Sequence, residues 1–140
     1  MVLLLDTHVW VWCMESDSRR IGRRSRQLLA RAQTRDAIRV SPVSVFEVGA
    51  LHTLGRIRLT LAVDTWVRQS LDAPGFRVAE LTPGIAIDAG YIPRSALADP
   101  LDRLLIATAV HLTATLLTAD EAVLEYASKT GDVRVHDAGR

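Results

Sequence analysis

Short apolar runs alternate along this chain with longer stretches of helical period. Residues 2–5 (VLLL), 38–41 (IRVS), 76–81 (FRVAEL) and 114–118 (ATLLT) read as strands, and 133–137 (VRVHD) as a short fifth. Runs as apolar as the first and fourth are expected of strands covered on both faces. Between them, residues 7–14 form a short helix or turn. Ile21, Leu28, Leu29 and Ala32 then make one apolar stripe on an otherwise arginine-rich helix. Ser41-Pro42 opens a helix, with serine as the N-cap and proline at the first position, that runs to Leu54 and stops at Gly55. Further helices fall at 65–71, 83–91, 101–112 and 120–128, the first closed by Pro74-Gly75. Strands alternating with helices predict an α/β fold of one domain, residues 1–140, with a parallel sheet of four to five strands between helical layers. Ligand sites in such folds lie at the carboxyl ends of the strands.

Four acids interrupt this apolar pattern: Asp6 in LLLDTH, Glu47 in SVFEVGAL, Asp102 in ADPLDRLL and Asp120 in LLTADE. Carboxylates avoid apolar surroundings unless they are paired or bind a cation. Asp6, Asp102 and Asp120 are expected where a strand gives way to a helix, a position that N-caps also occupy. Asp99-Pro100 is itself a cap signature, which leaves Asp102 as the third helical residue, aimed beyond the sheet edge. Glu47 is mid-helix and too deep to cap. Its helical neighbours Val43, Ser44, Ala50 and Leu51 include no cation. Two carboxylates about 4 Å apart repel by roughly 4 kcal/mol at an effective dielectric near 20, so a cluster of four calls for a cation. Oxygen donors without cysteine or paired histidine select a hard ion, Mg²⁺ or Mn²⁺, over zinc.

Composition narrows the setting. The lone Cys13 excludes an internal disulfide and a thiolate metal cluster. No basic leader with a long apolar stretch is seen, so a cytoplasmic protein without membrane contact is expected. The net charge of +1 conceals an asymmetry: residues 1–70 hold eleven arginines against six acids, residues 71–140 six basic residues against ten acids. Composition alone suggests nucleic-acid binding only weakly, because an arginine excess also follows from a GC-rich genome.

In order and setting, these residues resemble the PIN-domain nucleases, most closely the VapC toxins of bacterial toxin–antitoxin pairs. LLLDTHVWVW matches the opening strand and first acid, and SPVSVFEVGALHTLGRIRL the helix of the second. DPLDRLLIATA and LLTADEAVL match the third and fourth. The resemblance implies a three-layer PIN-like fold and a Mg²⁺-dependent endoribonuclease, with Mn²⁺ able to substitute. Asp6, Asp102 and Asp120 would hold the metal, assisted by Glu47, and the products would carry 5′-phosphate and 3′-hydroxyl ends. It also implies a homodimer and inhibition by a cognate VapB-type antitoxin. The chain departs from the pattern at Phe46, where many relatives carry tryptophan at a packing position, and at Ala98, where a charged residue is frequent. The alternative is a PIN-like RNA-binding or scaffold module without catalysis. Degenerate members of that kind would have lost acids that this chain keeps.

Other residues stand as accessories. Thr118, two residues before Asp120, could reach the site through its hydroxyl, and Thr7 less so. Arg103 could contact RNA phosphate, with pairing to Asp99 slightly preferred. Arg19, Arg20, Arg23, Arg24, Arg26 and Arg31 make a basic helix face, read equally as solvated surface or as phosphate contacts. Trp10, Trp12, Trp66 and Phe46 are expected to pack in the core or an interface rather than stack on bases. His8, His52, His111 and His136 show no ligand spacing and receive no role.

Overall fold

The structure is a computed structural model that describes residues 1–140, apart from the side chain of Ser18. Five parallel strands form one sheet: β1 (Leu3–Leu5), β2 (Ile38–Val40), β3 (Phe76–Val78), β4 (Thr115–Thr118) and β5 (Arg134–Asp137), in the order β3-β2-β1-β4-β5. Seven α-helices connect them: α1 (Thr7–Met14), α2 (Arg23–Thr34), α3 (Pro42–Thr53), α4 (Val63–Leu71), α5 (Pro83–Tyr91), α6 (Pro100–Leu112) and α7 (Glu121–Thr130). A 3₁₀ turn at Ser18–Arg20 lies between α1 and α2.

Alternation along β1 divides the interior into two cores. Leu3 and Leu5 face a layer built from α1, α2 and α4, where Trp10, Ile38, Val40 and Trp66 are buried. Leu4 faces the other way, with Leu116, against Leu105, Ile106 and Ala109 of α6 and Val123 and Tyr126 of α7. Each such leucine, fully buried, contributes about 1.5–3 kcal/mol, so the central strands anchor both layers. Helix α3 belongs to both cores, giving Val48 to the first and Val43 to the second. This sandwiched position holds Glu47 near the middle of the molecule. Helix α5 packs on α6 through Ile85, Ala89 and Ala107. No helix among the described residues is long and apolar enough to cross a membrane.

The predicted elements are present, the strands with trimmed ends, while α4 begins earlier, at Val63, and α7 runs on to Thr130. Residues 7–14 form a full helix, because Asp6 takes an extended conformation and accepts from the Thr7 N–H at 2.7 Å. The expected strand 76–81 ends at Val78, on the outer edge of the sheet, where Val78 is 51% exposed. Gly75 turns the chain into β3 with a φ of +86°, and a side chain there would collide with the Gln33 backbone. One expectation fails. Asp102 does not follow a strand, for the chain enters α6 from α5 through the loop at 92–99. Its position beside the other acids comes from α6 packing against the sheet.

Candidate active site

At the carboxyl edge of the sheet, β1 and β4 end side by side, with Leu5 opposite Leu117 and the Asp6 N–H bonded to the Leu117 carbonyl at 3.0 Å. Both strands then release an acid that caps the following helix. Asp120 Oδ1 accepts from the Ala122 and Val123 N–H groups at 2.9 and 3.1 Å, and Asp99 caps α6 through the Leu101 N–H at 2.9 Å. With Asp120 as its cap, α7 starts at Glu121, one residue later than expected. A cleft of about 240 Å³ opens here, lined by Asp6, His8, Trp12, Glu47, Asp99, Asp102, Ala119 and Asp120. All four acids singled out in the sequence, and Asp99, therefore face one space.

Their surroundings differ. Asp6 is 8% exposed, and both its oxygens have donors, the Thr7 N–H and the Thr118 hydroxyl. The same Thr118 oxygen accepts from the Asp120 N–H at 3.0 Å, so one fully buried hydroxyl joins the two strand-end acids. Burial pushes the Asp6 carboxyl above its ordinary value, with Thr118 and then Thr7 pulling back and Asp120 adding to the rise. Glu47, half-buried, is also raised, chiefly by burial and further by Asp6 and Asp99. The Thr7 hydroxyl is shared between Ser44 Oγ at 3.0 Å and the Glu47 carboxylate, and offsets part of that rise.

Asp102 is the extreme case. Its side chain is 8% exposed and makes no hydrogen bond or ion pair among the described residues. Burial first, then Asp99, Asp120, Asp6 and Glu47, push its carboxyl up to about 8. A proton or a cation would relieve such a group. The donor set is all oxygen apart from His8, as a hard divalent ion prefers. No three His, Cys, Asp or Glu side chains among the described residues close on one point as ligands do. The acids ring the cleft instead, the spacing that like charges favour. Cys13 does not line the cleft, and burial pushes its thiol up to about 12.

Two sequence expectations need correction and a third is narrowed. Arg103 does not pair with Asp99: its Nη2 donates to the Ala98 carbonyl at 3.4 Å, and its Nε is buried without a partner. Of the two settings expected for Phe46, core or interface, the core is ruled out, for the residue is 65% exposed. The arginine face is not a single surface beside the cleft. Arg19 and Arg20 reach Asp17, while Arg24 and Arg31 line a separate groove of about 740 Å³ with Arg134 and His136. Two cleft residues were missed, His8 and Trp12. They lie four apart on α1, a spacing that puts both on the helix face reached from Asp6. His111, given no role, meets Asp88 across the α5–α6 contact, away from the cleft.

A family model described as PIN domain matches residues 3–129. The chain belongs to the PIN domain family. Among curated relatives it is similar to Ribonuclease VapC22 of Mycobacterium tuberculosis (strain ATCC 25618 / H37Rv), with 34% identity over 118 residues, 84% of this chain and 86% of the relative. Among solved structures, the fold is shared with VapBC2 from Rickettsia felis bound to a DNA fragment from their promoter, at a TM-score of 0.68, 13% identity and 98% of each chain. It is shared also with DNA-bound VapBC from Salmonella typhimurium, at 0.65, 17% identity and 98% of each chain.

Proposed function

We propose that this chain, residues 1–140, acts as one PIN domain: a Mg²⁺-dependent endoribonuclease and the VapC-type toxin of a type II toxin–antitoxin pair. Its substrate is RNA, and a VapB-type antitoxin restrains it. It works in the cytoplasm as a homodimer. The observation that carries the reading is Asp102, a buried carboxylate without a hydrogen-bond donor, facing Asp6, Glu47 and Asp120 across one cleft. The likeness to a relative named as a VapC ribonuclease supports the substrate class.

The donor set fits a hard cation, with Asp6, Asp102 and Asp120 as the holding residues and Glu47 beside them. When bound, such an ion activates a water and offsets charge on the phosphate and the leaving 3′ oxygen. The chain's own residues supply the rest. Thr118 and the Thr7 N–H fix the Asp6 carboxylate, and Thr118 ties that position to the start of α7. Glu47, with its raised proton affinity, is suited to take the proton of an attacking water. Asp102 would give up its proton to hold a cation, so affinity for the ion would rise with pH toward about 8.

The test is cleavage of RNA by the purified protein with Mg²⁺, with EDTA, and in the Asp6→Asn and Asp102→Asn variants. Cleavage should require the ion and vanish in both variants while their circular dichroism stays native. Normal Mg²⁺-dependent cleavage by either variant would refute the assignment. RNA binding without cleavage by the native protein would favour the scaffold alternative.

A further inference from the structure

The three tryptophans occupy different settings. Trp10 and Trp66 are buried, at 0% and 3% exposure, and pack on each other at 4.8 Å between ring centroids. Trp12 is only partly buried: it packs against the first core and also lines the acid cleft, as the one indole among five carboxylates. Its indole N–H makes no hydrogen bond among the described residues. On one side the His8 ring lies tilted at 52°, 6.3 Å away. The Arg20 guanidinium sits over the indole, 5.6 Å from the ring centroid.

Arg20 is held there by its Nε, which donates to Asp17 Oδ2 at 3.0 Å. This contact uses one edge of the guanidinium and leaves both terminal nitrogens without a hydrogen-bond partner among the described residues. The side chain remains 62% exposed. A cleft of carboxylates repels the phosphates on either side of a scissile bond, so attraction must come from its rim. An indole offers a flat apolar face to any unpaired base, and a guanidinium offers two donors to a phosphate. Duplex RNA keeps its bases stacked on one another and cannot present one to an indole.

We propose that Trp12 and Arg20 form a nucleotide subsite on the rim of the acid cleft, with an unpaired RNA base on the indole and its phosphate on the guanidinium. The subsite rests on the reading of the cleft as the place of RNA hydrolysis.

The test is a binding measurement in EDTA, which needs no cleavage. Tryptophan emission and the anisotropy of a labelled single-stranded oligoribonucleotide are followed together, with the same sequence annealed as a duplex for comparison. The single strand should quench the native protein. Trp12→Phe should bind within about threefold of native yet lose the quenching, because Trp10 and Trp66 are out of reach. Trp12→Ala should bind about tenfold more weakly and lose its preference over the duplex. Arg20→Gln should lower the salt dependence of binding by about one phosphate contact. Native-like binding by Trp12→Ala, quenching that persists in Trp12→Phe, or no quenching of the native protein would overturn the subsite. Should Trp12→Ala fail to fold, the Phe and Gln variants decide. Binding and quenching without cleavage would keep the subsite while sinking the nuclease reading.

Discussion

Two hollows of opposite character lie on this molecule. The acid cleft, about 240 Å³, is ringed by five carboxylates at the ends of β1 and β4. The groove between α2, α7 and β5 is about 740 Å³ and is lined by Arg24, Arg31, Arg134 and His136, without an acid. The larger hollow holds no like charges buried in one another's field, and its one orphaned polar atom is the buried His136 Nε2. Its arginines are solvated, none is in an ion pair, and its floor is ordinary apolar surface. In the smaller one, Asp6 and Asp102 are each 8% exposed beside like charges, an arrangement that opposes folding. Size therefore misleads as a guide to chemistry here, whereas unrelieved electrostatic cost points to it.

The sharpest break between the two would come from charge removal. Asp102→Asn should reduce cleavage by about two to four orders of magnitude, the range of a lost acid–base or ligating group, measured as single-turnover rate. Arg31→Gln with Arg134→Gln should leave cleavage of a short oligonucleotide unchanged. A comparable loss from the arginine pair would move the chemistry out of the cleft.

Removal of the hydroxyl that joins Asp6 to Asp120 comes next. Thr118→Val keeps the shape and deletes both bonds, so cleavage should fall about 10- to 100-fold and the melting temperature should drop. Thr118→Ser should restore most of both.

A pH series in EDTA tests the cost itself. The folded Asp102 carboxyl, at about 8, lies above its ordinary 3.8. Its protonated form therefore favours the fold fully at low pH, and this contribution is lost as pH rises toward about 8. Chemical denaturation should show native stability declining between about pH 4 and 8. Asp102→Asn should flatten that slope and make the protein more stable than native at pH 8. An unchanged slope would mean that Asp102 is not the strained group. The smallest effect is expected in the groove, where single arginine replacements should alter stability by no more than about 0.5 kcal/mol.

Much of this was legible in the sequence because it is local. The apolar VLLL run and the ATLLT run became the central strands, and Ser41-Pro42 and Asp99-Pro100 marked helix starts. The acids of the cleft were found because each breaks an apolar run. What escaped depends on packing between distant segments. Nothing near Arg103 in sequence shows that it bonds Ala98 in place of Asp99. Phe46 was expected in the core or an interface, and its place among valines could not tell which; α3 turns it outward so that Val43 and Val48 can fill two cores. Trp12 was grouped with its neighbours because the pattern VWVW does not distinguish the buried indole from the one facing the cleft.

The caps carry a practical consequence for inactive forms of the protein. Asp6 and Asp120 each start a helix as well as line the cleft, so alanine at either position would disable the site and loosen α1 or α7 together. A variant silenced that way changes the protein's surface for reasons unrelated to chemistry. Glu47 and Asp102 cap nothing, the first lying mid-helix and the second three residues past its cap. Variants at these two positions are the ones to choose when a silent but intact surface is needed.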